Sequence, residues 1–166
     1  MALFNALKNG HKEATRLLLE HGADIKMIWA YDYLKPELYI ARLIEYVPDI
    51  IWPDDAMEDA ICTNNYELVK TLHTVAGIPY KNKKELAIIA SAHDCHTVIM
   101  GMVRDDIIHP NILNDTGRSL IHRLAIHRIH PAHIRTLVDK GANLYITDDT
   151  GKCALSVIVE LYGKLR

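Results

Sequence analysis

A chain of 166 residues with 49% hydrophobic and 24% charged residues has the composition of a packed globular protein. It is neither a disordered tail nor a fibrous repeat. The formal net charge of −2 excludes a global field that would gather nucleic acid or anionic lipid. No apolar run reaches the roughly 18 residues a membrane span needs. The start, Met1-Ala2-Leu3-Phe4-Asn5-Ala6, does not read as a secretory signal. The cysteines, Cys62, Cys95 and Cys153, are odd in number and form no C-x-x-C. They fit a reduced, intracellular protein in which thiols act as small apolar fillers.

Taken in chain order, the elements come in pairs. A short apolar helix over Ala2 to Leu7 is followed by the turn Gly10-His11 and an amphipathic helix reaching Leu19, with apolar residues three and four apart. Gly22 is suited to end it. Residues 24–53 are predicted as the irregular part: a shortened first helix around Trp29 to Tyr33, then a second from Pro36 to Tyr46, stopped by Pro48. The pattern resumes with Asp55 to Ile61 and Asn64 to His73, then Lys84 to Ser91 and Asp94 to Val103. The clearest pair is Ser119 to Ala125, with Ser119 as N-cap after the turn Asp115-Thr116-Gly117, and Ile129 to Val138. A parallel segment, Asp149 to Ser156, opens one more unit. The aligned positions Leu18, Leu43, Leu72, Met102 and Leu137 step by about 25 to 35 residues, the range of helical solenoids. They are expected in one continuous core. Small residues, Ala6, Ala60, Ala90 and Ala125, recur near the ends of the first helices and allow close helix approach.

These residues resemble the ankyrin repeat family. Gly117, Ser119, Ile121, His122 and Ala125 match the first part of its consensus, and His130, Ile134, Leu137, Val138, Gly141, Ala142 and Asn143 the second. Gly10-His11, Leu18-Leu19 and Gly22-Ala23-Asp24 match near the start. The likeness is strong at residues 1–28 and 111–158, moderate at 54–104 and poor at 29–53. It implies an all-α, ankyrin-type helical solenoid of about five helix-pair repeats plus a terminal helix, with short or missing hairpins in the first half. The single domain, 1–166, divides into repeats at 1–28, 29–53, 54–82, 83–113 and 114–147, with a partial repeat at 148–166. Leu3, Phe4 and Leu7 near one end, and Val157, Ile158 and Leu161 near the other, ask for cover. They lean towards a fragment or an array with neighbours.

The residues that could carry chemistry read mostly as structural. His127, His130 and His133, with His122 nearby, lack a cysteine or carboxylate pair to complete a zinc site, and Pro131 separates His127 from His133. His122 and His130 are family positions that tie turns and neighbouring repeats. His93, Cys95 and His96 sit at a turn. Asp54-Asp55 and Asp148-Asp149 read as helix-start capping, and Asp105-Asp106 as a solvated loop. No nucleotide-binding, hydrolase or metalloprotease motif occurs, so no catalytic residue, metal or cofactor is expected.

The resemblance implies a non-catalytic protein–protein interaction module with a protein partner. It presents a concave face and inter-repeat loops; no small-molecule substrate, nucleic acid or membrane is expected. The family pattern places contacts at Arg118, Arg123, His127, Tyr145, Thr147, Asp149 and Lys152. Further contacts fall at Lys8, Asn9, Thr63 and Thr116. The rival surface is the aromatic segment Trp29, Tyr31, Tyr33, Tyr39, Tyr46 and Trp52. An alternative is the targeting segment of a larger enzyme or of a secreted pathogen effector acting on host proteins. The expected compartment is the cytoplasm, the host's in that case. A nucleic-acid surface through Arg118, Arg123, Arg128, Arg135 and Lys140 is disfavoured by the near-neutral charge.

Overall fold

The computed structural model describes residues 2–28 and 36–163. Over these residues the chain is helical: α1 (Ala2–Lys8), α2 (Lys12–Glu20), a short 3-10 helix (Ile25–Ile28), α3 (Pro36–Tyr46), α4 (Ala56–Cys62), α5 (Tyr66–Thr74), α6 (Lys83–Ala92), α7 (His96–Arg104), α8 (Leu120–Ile126), α9 (Pro131–Asp139) and α10 (Ala154–Tyr162). Among the described residues no helix is long and apolar enough to cross a membrane. The chain divides into two compact units, Met1–Tyr80 and Lys81–Arg166.

Helices this short cannot stand alone in water, because nucleation is costly and each closes few backbone bonds. Their turns and partners hold them. Within the pairs, the connecting turns carry a residue in the left-handed region: Gly10, Asn64, Asp94 and Arg128, with φ of 75°, 55°, 54° and 53°. After α2, α5, α7 and α9 a second such residue follows: Gly22, Gly77, Asp106 and Gly141. The carbonyls of Leu18, Met102 and Leu137 each accept the amide five residues on, from Ala23, Ile107 and Ala142, at 2.8–2.9 Å. This closes the helix ends that would otherwise leave carbonyls unpaired. Arg128 is the strained member of the first set, since its Cβ crowds the following carbonyl. Arg128→Gly is expected to raise the stability of the second unit by up to about 1 kcal/mol, the left-handed cost less the entropy of glycine. Chemical denaturation reads this directly, and a loss of stability would contradict it.

In the first unit, α1 packs against α2, α3 and the 3-10 helix, while α5 packs against α3 and α4. Leu3, Phe4 and Leu7 of α1 are buried, and Phe4 meets Tyr39 edge-on at 5.1 Å between ring centroids. Two arginines close helix ends in this unit. Arg42 donates to the carbonyls of Leu7 and Lys8 at 2.9 and 3.0 Å, and Arg16 donates to that of Tyr46 at 2.8 Å. Lys26 bridges Asp55 and Asp59 of the α4 region at 2.6 and 2.7 Å. The Asp55 side chain therefore serves an ion pair; it makes no capping bond, although it stands at the helix start. The expected second helix from Pro36 to Tyr46 is α3. The shortened first helix around Trp29 to Tyr33 lies outside the described residues. Between Asp24 and Trp29 the 3-10 helix occupies the space a projecting hairpin would need.

In the second unit α6 packs against α7 and α8, α7 against α9, and α8 against α9 and α10. Asn82 accepts the Glu85 amide at 3.1 Å and starts α6. His130 accepts the Ala132 amide at 3.2 Å and, with Pro131, starts α9. Ser119 stands at the N-cap of α8.

Leu43, Leu72, Met102 and Leu137 are fully buried, and Ala6, Ala60, Ala90 and Ala125 are buried as their register requires. Leu18 departs from the expectation: it is only half-buried, and Thr15 is the buried residue of α2. α2 packs against α1 and α3. Cys62 likewise is exposed rather than a core filler, because it stands at the last turn of α4, while Cys95 is buried.

Candidate binding surface of the second unit

Two turns of one design enter α8 and α10. In the first, Asn114-Asp115-Thr116-Gly117-Arg118-Ser119, the Asn114 amide donates to the Arg118 carbonyl at 3.0 Å and a bridge pairs Leu113 with Ser119. In the second, Asp148-Asp149-Thr150-Gly151-Lys152-Cys153, the Asp148 amide donates to the Lys152 carbonyl at 2.9 Å and a bridge pairs Thr147 with Cys153. The leading side chain clamps each turn. Asn114 Oδ1 accepts from the Thr116 amide, the Thr116 hydroxyl and the Arg118 amide at 3.1, 3.0 and 2.9 Å. Asp148 Oδ1 accepts from the Thr150 amide, the Thr150 hydroxyl and the Lys152 amide at 2.9, 2.6 and 3.1 Å. Glycine takes the left-handed position of each turn, at φ 69° for Gly117 and 79° for Gly151. At Gly117 a Cβ would also stand 2.8 Å from Asp149 Oδ1 and 3.3 Å from the Asp149 nitrogen. Only glycine lets the turns approach this closely.

The two turns are bonded to one another. Arg118 Nε donates to Asp148 Oδ2 at 3.1 Å, and the Asp149 amide donates to the Thr116 carbonyl at 3.2 Å. Below them the fully buried His122 joins both. Its Nδ1 accepts the Ser119 amide at 3.3 Å and lies 2.8 Å from the Ser119 hydroxyl; its Nε2 lies 3.2 Å from the Lys152 carbonyl. An amide can only donate, so Nδ1 is the acceptor and the ring proton sits on Nε2, aimed at the carbonyl. A second tie uses Asn111, which donates to the Gly141 carbonyl at 3.0 Å and accepts the Asn143 amide at 2.8 Å.

The expected contact residues fall into three groups. Arg118 and Arg123 line one cleft with Ala87, Ile88, Ser91, Ile112, Asn114 and Leu120. His127 closes α8 and places Nδ1 2.9 Å from Asp94 Oδ1 in the α6–α7 turn. Tyr145, Thr147, Asp149 and Lys152 are exposed along the second turn; Lys152 Nζ lies 3.1 Å from Glu160. Thr116 is also exposed, while Thr63 donates its hydroxyl to the Ala60 carbonyl at 2.7 Å and is structural. Lys8 and Asn9 are exposed in the first unit. Trp29, Tyr31 and Tyr33 of the rival aromatic segment lie outside the described residues. Among the described residues no group of three or more His, Cys, Asp or Glu side chains is placed to hold a metal ion.

Asp148 and Asp94 take part although neither is among the expected contact residues. Asp148, expected as a helix cap, is a turn clamp, and Cys153 holds the N-cap position of α10. The signal was available in the parallel between Asn114-Asp115-Thr116-Gly117 and Asp148-Asp149-Thr150-Gly151. Asp106 in turn is not merely solvated: it receives Lys140 Nζ at 2.7 Å.

Electrostatics follow from these bonds. The Thr150 hydroxyl above all, with Arg118 and the turn amides, holds the Asp148 carboxyl well below the usual carboxylate range. Its folded value is lower than its unfolded one, so it stabilises the fold above about pH 4 and ceases to as pH falls further. Burial pushes the His96 imidazole below its ordinary value, opposed by Asp94 and assisted by His127 and His133; among the described residues the buried His96 Nε2 has no hydrogen-bond partner. The fold favours neutral His96, so its contribution is present above about pH 6.5 and declines as pH falls below it. Stability of the second unit is expected to drop in two stages on acidification, measured by denaturation across pH. Asp148→Asn should keep the turn, since Asn114 performs the same task, yet remove the lower stage. An unchanged acid limb in that variant would contradict the assignment.

The described residues thus define an all-helical protein of short helix pairs joined by tight, side-chain-clamped turns. No protein-family model and no curated protein sequence matches the chain. Among solved structures it is similar to a chain in a predatory endopeptidase of Bdellovibrio bacteriovorus in complex with an immunity protein, at 16% identity and a TM-score of 0.44, covering 98% of this chain and 93% of that one. A likeness this distant assigns neither fold family nor activity.

Proposed function

We propose that this chain is a single ankyrin-type repeat domain that binds a protein partner and performs no chemistry of its own. Its binding surface is the turn side of the second unit. The observation that carries this reading is the pair of clamped turns. Two loops of the same geometry are bonded to each other and buckled from beneath by His122, so their outward side chains are held in place before any partner arrives. A pre-ordered surface loses less entropy on binding. Tyr145, 74% exposed, with Asp149 and Lys152 beside the second turn, supplies the aromatic and charged mixture that contact surfaces favour. The histidines and hydroxyls that could suggest catalysis, His122, Ser119 and His130, are engaged in holding backbone.

The test is affinity capture from a native lysate by the chain and by a Tyr145→Ala/Asp149→Ala/Lys152→Ala variant of unchanged circular dichroism. Loss of the captured protein with the variant is expected. Retention by the variant, with loss on alanine substitution of Trp29, Tyr31, Tyr33 and Trp52, would move the surface to the first unit.

A further inference from the structure

Arg123 differs from the other basic residues of the expected contact set. Arg118 is engaged with Asp148, Lys152 with Glu160 and His127 with Asp94. Arg123 is half-buried and makes no hydrogen bond or ion pair among the described residues. Two charges reach it electrostatically, the repulsive Arg118 and the attractive Asp94, and Asp94 is already taken by His127. A desolvated guanidinium without a carboxylate costs stability, and a second guanidinium nearby adds to the cost. Ala87, Ile88, Ile112 and Leu120 form the apolar side of its cleft. The Nη groups of Arg118 make no bond among the described residues, since its contact to Asp148 runs through Nε.

We infer that Arg123 is the anchor for one acidic side chain of the protein partner, a glutamate or aspartate received at the mouth of the α6–α8 cleft between Arg123 and Arg118. The inference rests on the protein-binding reading above and names the chemistry of the partner. The guanidinium fork matches a carboxylate in two parallel bonds, and the low-dielectric wall strengthens them. The enclosed floor of the cleft is about the size of one water, so the carboxylate is received at its mouth and no ring enters the floor. Arg123 is half-buried whereas Arg128 and Arg135 are exposed, and a net charge of −2 supplies no field to gather a row of phosphates, so the cleft matches a single carboxylate.

The experiment selects a displayed library of random twelve-residue peptides on the intact chain and on Arg123→Met, with Arg123→Lys as a second variant. Enriched peptides sharing one acidic residue are expected on the native chain alone. For a synthetic enriched peptide, Arg123→Met and the peptide's own Glu-to-Gln change should each weaken binding about tenfold, and together hardly more than either alone. Arg123→Lys should recover part of the affinity. Arg123→Met should unfold at the same or higher denaturant concentration, which separates lost binding from lost fold. Enriched peptides that need no acidic residue, or equal binding by native and Met chains, would overturn the inference while leaving the protein-binding reading intact. So would a fluorescent oligothymidylate whose binding depends on Arg123, which would assign the site to nucleic acid. If neither chain enriches any peptide the inference falls as well, and the protein-binding reading then stands or falls on the lysate capture.

Discussion

Replacing Leu137 by alanine is expected to lower the unfolding free energy of the second unit by about 2–5 kcal/mol. Leu137 has no exposed surface and sits in α9, which packs against both α7 and α8. Truncation removes apolar contact and leaves a space that short helices fixed by their turns cannot easily refill. Its carbonyl also accepts the Ala142 amide at 2.9 Å, so disorder spreading from the cavity would loosen the helix end. The same substitution at the half-buried Leu18 is expected to cost less, because a partly exposed side chain loses less transfer free energy. Urea unfolding of the two variants provides the comparison, and a Leu137→Ala cost no greater than that of Leu18→Ala would refute the register of the buried positions.

His122→Ala is the second large effect, at about 2–4 kcal/mol, combining a cavity with the loss of partners for buried backbone. The variant leaves the Ser119 amide and the Lys152 carbonyl without the ring that joins them. One variant thereby weakens two turns, and protection of the Ser119 and Asp149 amides from hydrogen exchange should fall together. The nitrogen spectrum gives an independent check: Nδ1 should resonate as an unprotonated acceptor and Nε2 as a protonated donor. The opposite tautomer would mean that the ring does not serve the Ser119 amide, and a cost below about 1 kcal/mol would mean that the buckle is ornamental.

Much of the helical layout was legible because it rests on local physics. The spacing of apolar residues located α1, α2 and α4 to α9 to within a residue or two. Pro36 and Pro48 bracketed α3, since proline suits a first turn and stops a helix it follows. Gly22 announced a left-handed helix end. The recurrent alanines announced close helix contacts, and all four are buried.

Side-chain partnerships were less legible, because they join residues 29 or 30 positions apart and residue type leaves the choice open. Asp55 suits a helix start, yet Lys26 takes it. Asp148 suits a helix start, yet it clamps a turn and holds Arg118. The identical task is done by Asn114 without charge, so the turn needs an acceptor and only the neighbouring arginine makes a carboxylate preferable. Among the expected contact residues, the family resemblance picks by position and cannot tell a paired side chain from an unpaired one. Arg118, His127 and Lys152 have partners, and Arg123 has none among the described residues.

The amino-acid sequence by itself determined where helices start and stop, which residues turn the chain, and which face of each helix is apolar. Those outcomes depend on bonds within a few residues and on periodicity. Only the tertiary structure decided that Leu18 stays half-exposed, that His122 fastens two turns, and that Arg123 is left as a half-buried charge. Those outcomes depend on what another segment brings to the same place, and burial and pairing of a charge are set by neighbours in space.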